Sequence, residues 1–179
     1  MKYEIIDNFL DKKYFTELEK NIAKPNSKMP WFCEPSVTGN SDEKECSKLF
    51  YMTHSFYENN LPTSNLLDKF FPLFTKLGEI GTLIRVKANF YPNTEILYEH
   101  PMHIDYSFHN TGAILSMNTC DGYTKLNDGT KINSVANRLL LFDASTPHCS
   151  TTTTNVPARI NININFIREQ YRENGVDNG

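Results

Sequence analysis

Four cysteines in 179 residues, Cys33, Cys46, Cys120 and Cys149, are too scattered for a disulfide framework, and none falls into a CxxC or other zinc-ligand spacing. Basic charge is not in excess either. Lys and Arg number 18 against 21 Asp and Glu, a formal net charge of -3. That balance encodes no polyanion-binding surface and leaves nucleic acid only a local patch. No run approaches the roughly 20 apolar residues of a membrane span. The opening MKYEIIDNFLDKKYF carries charge every few residues, so it cannot serve as the apolar core of a signal peptide. Internal repeats and low-complexity linkers are missing as well. The expectation is a soluble, intracellular, cytoplasmic protein with reduced thiols, folded as a single domain over residues 1–179. What is present suits a packed core: 39% hydrophobic residues, with 12 Phe and 9 Tyr.

The chain changes texture near residue 80. Before it, YEIIDNFL (Tyr3 to Leu10) reads as a strand, and Asp11 stands where an N-cap belongs, ahead of a helix over about 12–23 with Tyr14, Phe15, Leu18 and Ile22 on one face. Residues 24–48, with Pro25, Pro30, Pro35 and Gly39, read as loop, and Lys44 and Lys48 as part of its solvated charge. PTSNLLDKFFPLFTKLG predicts a second helix capped by Thr63 or Ser64, kinked at Pro72 and closed by Gly78. After residue 80, TLIRVKANFY, AILSMNT, YTKL, NRLLLFD, HCSTTTT and ARINININF are short β-branched and aromatic runs separated by turn signals. The expected architecture is mainly β: a helical N-terminal support over 1–80 packed outside an antiparallel two-sheet sandwich or barrel over 81–168.

One strand poses a chemical question. In ARINININF, alternation puts Ile160, Ile162, Ile164 and Phe166 on one face and Arg159, Asn161, Asn163 and Asn165 on the other. A polar face in bulk water is trivial, and that is the expectation for Asn163 and Asn165. A cavity-facing Arg159 would need an anion that no acid within the stretch can supply. Upstream, PMHIDYS places His103 and Asp105 two residues apart, on one face of an extended segment, and His148 follows several strands later. Two imidazoles and a carboxylate form the facial triad that suits non-haem Fe(II) and leaves coordination positions open. Arg159 lies one strand and one tight turn beyond His148, so it can enter the same mouth and hold a ligand carboxylate bidentately.

HID at 103–105, PH at 147–148 and RIN at 159–161 resemble the HxD...H...R signature of the Fe(II)- and 2-oxoglutarate-dependent oxygenases, including small prolyl-hydroxylase-like members. RVKANFYP, DGYT and NRLLLFD are similar to the strands and turn around that signature. The resemblance implies a double-stranded β-helix (jelly-roll, cupin-like) fold. It implies Fe(II) on His103, Asp105 and His148. The C5 carboxylate of 2-oxoglutarate would pair with Arg159 and accept from Tyr91, with Asn89 and Asn161 as amide partners, and O₂ would be the further co-substrate. The implied activity is hydroxylation of an aliphatic C–H of a peptidyl or free amino acid or small metabolite, with succinate and CO₂ as co-products. Collagen-type prolyl hydroxylases usually place lysine where Arg159 stands, a departure that argues against a close relationship to them, whereas other prolyl hydroxylases use arginine.

Other readings compete. AlkB-like nucleic-acid demethylases share N-x-Y and R-x-N but carry a second arginine six positions on, where this chain has Asn165. A non-catalytic cupin-like binding protein would have little purpose for Arg159. Zinc hydrolysis would need a base, for which only Glu95 and Glu99 are nearby. His100 and His109 flank the HxD motif as loop bystanders able to reach substrate, His54 has no partner in view, Cys149 should point away from the metal, and Thr151 to Thr154 read as strand filling. The sequence leaves the oligomeric state and the physiological substrate open.

Overall fold

The computed structural model describes residues 2–24, 27–35, 37, 49–78 and 80–169. Cys46, Lys44 and Lys48 lie outside them. Strand β1 (Tyr3–Ile6) leads into helix α1 (Lys12–Ile22), followed by β2 (Phe32–Glu34), β3 (Tyr51–Glu58), β4 (Leu61–Pro62), a 3-10 turn (Leu67–Phe70) and α2 (Phe71–Leu77). Then come β5 (Ile80–Pro92), β6 (Thr111–Ser116), β7 (Tyr123–Leu126), β8 (Lys131–Asn133), β9 (Leu139–Asp143), β10 (His148–Ser150) and β11 (Ala158–Arg168). The large sheet runs β1-β9-β6-β11-β5-β3-β2, with β4 on β3, and the small one β10-β7-β8. From β6 onward the chain passes back and forth between the two sheets, the winding of a double-stranded β-helix, as expected.

Strand β11 pairs with β5 on one side and β6 on the other. Its isoleucine file, Ile160, Ile162 and Ile164 with Phe166, packs with Val86 and Ala88 of β5 against Leu18 and Ile22 of α1, Phe70 of the 3-10 turn and Leu73 of α2. Each such side chain removed from water contributes about 1.5–3 kcal/mol. A smaller cluster, Ile114, Leu140 and Phe142 with Leu126 and Ile132, joins the sheets to each other. The helices thus cover the outer face of the large sheet, and the polar file of β11 is left facing inward.

Asp11 caps α1 as expected, its Oδ1 accepting from Tyr14 N at 3.0 Å. The second helix differs from expectation. Ser64 Oγ accepts from Leu66 N at 3.2 Å and so closes a turn rather than capping a long helix. The α-helical part begins only at Phe71, with Pro72 in its first turn. No intrahelical donor is required there, so the proline starts the helix instead of kinking it. Gly78 ends it at φ 59, its N–H donating to Phe74 O at 3.1 Å. The stretch read as loop contains β2, and the support segment adds β1 to β4 to the large sheet besides its helices. No described helix is long and apolar enough to cross a membrane.

Candidate metal centre

Register across β11 and β5 pairs two polar files: Arg159 with Tyr91, Asn161 with Asn89, Asn163 with Lys87, and Asn165 with Arg85. Arg159, Asn161, Asn163 and Asn165 are only 1%, 2%, 7% and 0% exposed. The solvated face expected for Asn163 and Asn165 is therefore a buried one. A central strand under a second sheet has no wet side, so its polar residues must find partners inside. They do so on Asp105. Asn165 Nδ2 donates to Asp105 Oδ2 at 2.9 Å and to Asn110 Oδ1 at 3.1 Å, and Asn163 Nδ2 donates to Asp105 Oδ2 at 3.3 Å. Arg85 completes the cradle, donating to Asp105 Oδ1 at 2.8 Å and to Asn165 Oδ1 at 3.0 Å. Burial alone would raise the Asp105 carboxyl; the Arg85 guanidinium, followed by His148 and the Asn165 amide, outweighs it and holds the pKa at about 2.

His103 and His148 form a one-residue antiparallel bridge, each N–H donating to the other's carbonyl at 2.9 Å. Asp105, at the bend that follows, donates its N–H to Ala144 O at 3.0 Å. Ligand atoms of His103, Asp105 and His148 lie within 4.8 Å of one another. Each ring nitrogen Nδ1 faces a backbone carbonyl, Thr146 O at 3.0 Å for His148 and Pro101 O at 3.3 Å for His103. A carbonyl only accepts, so each Nδ1 carries a proton, and in the neutral imidazole that tautomer leaves the Nε2 lone pair for a cation. Burial, then the neighbouring His148, lowers the His103 pKa, which favours the neutral ligand form. The Phe142 ring stands edge-on to His148 at 4.8 Å and walls that side with hydrocarbon.

Arg159 enters beside this cluster. Its Nη2 donates to Thr124 Oγ1 at 2.9 Å and its Nη1 to Thr151 O at 3.5 Å, while Nε has no partner. Among the described residues no carboxylate pairs with it. Burial without a counter-anion lowers its pKa. The guanidinium lies 5.5 Å from the Tyr91 ring centroid, and Tyr91 stacks on Tyr51 at 5.7 Å. Desolvation raises the Tyr91 pKa, so its hydroxyl stays a donor. Asn89 donates to Asn161 Oδ1 at 2.9 Å and keeps its own Oδ1 unpartnered. Gly122 permits the close fit: a Cβ there would fall 2.7 Å from Arg159 Cδ and 2.6 Å from Thr152 O.

A cavity of about 200 Å³ lined by Tyr91, Asn89, His103, Asp105 and Lys87 joins a smaller one of about 20 Å³ lined by His148, Thr124, Ser150 and Asn161. Outward, through Tyr51, Arg85 and Lys87, it meets an open groove of about 1460 Å³. The orphaned polar atoms of Arg159 and Asn89, together with the neutral-imidazole and carboxylate donor set, fit a divalent cation with a small oxygen-rich anion beside it.

Some neighbours differ from expectation. His100 is no loop bystander: it is 4% exposed, its Nδ1 lies 2.9 Å from Ser150 Oγ and its ring 5.1 Å from Tyr91. Burial lowers its pKa to about 4. His109 sits outside, paired with Asp143 at 3.0 Å, and His54 Nδ1 donates to Pro30 O at 2.8 Å. Glu99 accepts from Lys125 at 2.7 Å and from Tyr123 OH at 2.6 Å, which hold its carboxyl at about 2, and neither it nor Glu95 lines the cavity. Neither acid expected as the base of a zinc hydrolase is therefore placed to act as one. Thr152 and Thr153 are more than filling, accepting from Tyr98 N at 2.9 Å and donating to Asp121 at 2.7 Å respectively. Cys149 is buried and free, and borders the smaller cavity. Arg85 and Lys87 escaped the sequence reading; the signal was the polar alternation Arg85, Lys87, Asn89, Tyr91 mirroring that of β11.

No family model and no curated protein matches the chain. Solved structures do. A Pseudomonas putida prolyl-4-hydroxylase aligns with TM-score 0.62 at 14% identity, covering 94% of this chain and 92% of its own. A Trichoplax adhaerens prolyl hydroxylase, in complex with a hypoxia inducible factor oxygen degradation domain peptide fragment, aligns at 0.62 and 17% identity over 93% and 83%. HygX from Streptomyces hygroscopicus, with nickel and 2-oxoglutarate bound, aligns at 0.62 and 9% identity over 94% and 83%. The chain thus has the double-stranded β-helix fold of the Fe(II)/2-oxoglutarate oxygenases, with a His-Asp-His cluster inside it at the residues that carry the sequence resemblance.

Proposed function

We propose that this protein is an Fe(II)- and 2-oxoglutarate-dependent oxygenase that hydroxylates an aliphatic C–H of a peptidyl or free amino acid or another small metabolite. The observation that carries the reading is Arg159, fully buried and, among the described residues, without a carboxylate partner, beside a cluster fit for a divalent cation. His103, Asp105 and His148 would hold the iron. The bound metal and co-substrate supply the oxidising chemistry: 2-oxoglutarate and O₂ yield succinate and CO₂, and the second oxygen atom enters the substrate as hydroxyl.

The chain's own share is positional. Arg159 meets the distal carboxylate, Tyr91 donates its hydroxyl to the same group, and the Asn89 and Asn161 amides border the intervening space. Thr124 aims the guanidinium. Asp105, ionised by Arg85, brings the negative charge that iron requires. The AlkB-like alternative loses ground because Asn165, at the position of the second arginine, is occupied with Asp105 and Asn110. The domain division, a support over 1–80 and a catalytic barrel over 81–168, belongs to the same proposal.

The test is succinate release by the Fe(II)-loaded protein from 2-oxoglutarate, with and without candidate amino acids and peptides. Anaerobic titration should also show the weak visible charge-transfer band of the Fe(II) chelate. Metal binding without either signal would point instead to a non-catalytic cupin-like protein.

A further inference from the structure

The cavity wall holds one more cation than the proposed oxygenase chemistry uses. Arg85 is paired with Asp105, and Arg159 is reserved for the co-substrate. Lys87, half-buried between them in sequence, lines both the inner cavity and the outer groove. Its ammonium lies 5.6 Å from the Tyr51 ring centroid. Among the described residues, no carboxylate lies within ion-pair reach of it. The acids it feels are Asp105, Glu58 and Glu34; Asp105 is bound by Arg85, Glu58 accepts from Ser55 Oγ at 3.3 Å, and Glu34 from Thr53 Oγ1 at 3.5 Å. Burial, then Arg85, lowers the Lys87 pKa to about 8, the direction expected of an ammonium short of counter-charge.

Position separates Lys87 from the co-substrate end. It pairs in register with Asn163, whereas Tyr91 pairs with Arg159. Three residues of strand lie between Lys87 and Tyr91, four steps or about 13 Å of backbone. Lys87 is therefore on the groove side of the triad, where a substrate arrives, and not on the side where the diacid is anchored. Ile104, beside it on the rim, is 42% exposed and offers apolar contact to the rest of an incoming chain.

We infer that Lys87 is a specificity-determining residue that pairs with a carboxylate of the substrate, so that the substrate class is an acidic amino acid, free or within a peptide. This rests on the oxygenase reading above. The cation is partly desolvated already, so an anion meeting it gains a charge-assisted hydrogen bond at little further cost.

The experiment uses full-length protein loaded with Ni(II) and 2-oxoglutarate, titrated calorimetrically with N-acetyl-glutamate and N-acetyl-aspartate, their side-chain amides, and capped pentapeptides with central Glu or Gln. Acids should bind about tenfold more tightly than the matching amides. Lys87→Met should erase that preference while leaving metal and 2-oxoglutarate affinity unchanged. Lys87→Arg should retain it. Tighter binding by the peptides marks a peptidyl substrate; tighter binding by the acetylated amino acids marks a free one. Equal binding of acid and amide, no binding by any acid, or a preference that survives in Lys87→Met would overturn the inference. Loss of 2-oxoglutarate affinity in Lys87→Met would reassign the residue to the co-substrate and overturn it too. If wild-type protein fails to bind 2-oxoglutarate at all, the oxygenase reading itself has failed, a result visible before any acid is added.

Discussion

Arg85 and Arg159 differ at the residue scale by one fact: among the described residues the first has a carboxylate partner and the second does not. Arg159→Lys and Arg159→Ala should weaken 2-oxoglutarate at least about tenfold and leave metal affinity nearly unchanged, because the planar fork is lost but the triad is not. Equal weakening of both would mean that the guanidinium serves the metal. Arg85→Met should act the other way. It strands a buried Asp105, costing about 3–5 kcal/mol of stability, and should cut metal affinity about 10–100-fold. Denaturant titration and metal titration read the two effects separately. His100 gives a pH signature. Its pKa falls from 6.5 to about 4 on folding, so the unfolded chain binds more protons in that window. Stability from this group is complete above pH 6.5 and is lost as pH falls towards 4, by up to about 3 kcal/mol. In metal-free protein, His100→Gln should flatten the fall in urea midpoint between pH 7 and pH 5 relative to wild type.

At the scale of elements, the turn carrying Gly122 controls where β11 can place its arginine. Gly122→Ala would put a methyl 2.6 Å from Thr152 O, which is backbone and cannot swing away. The expected outcome is a loss of 2-oxoglutarate affinity larger than any loss of metal affinity, measured on the same samples. The strands of the barrel other than β8 (Lys131–Asn133) were legible in the sequence because β-branched runs alternate with turn signals. β3 was not: YMTHSFYE mixes Thr, His and Ser among its aromatics, and a register shift between Ser55 and Tyr57 breaks the alternation. It is held by β2 and β5 on its two sides, contacts that no local pattern announces. The second helix was legible in kind but not in length, since Pro72 is compatible with a kink or a start and only the packing of Phe70 and Leu73 selects the start.

For the whole molecule, the two faces of β11 serve different ends. The isoleucine file ties the sheet to the helices, and the amide file holds Asp105. Ile162→Ala should cost about 2–5 kcal/mol in denaturant unfolding with little change in metal affinity per folded molecule. Conversely, saturating metal plus 2-oxoglutarate should raise the thermal midpoint of wild type and fail to do so in His148→Ala, because only a native site binds them. The sequence by itself determined the chemistry on offer: two imidazoles, an aspartate and an arginine at spacings that strands can bring together, and a period-two pattern that made β11 a strand. Only the tertiary structure decided that both faces of that strand are buried. Whether a polar file is solvated depends on what lies across from it, and here a second sheet from elsewhere in the chain excludes water, turning Asn163 and Asn165 from surface residues into the cradle of Asp105.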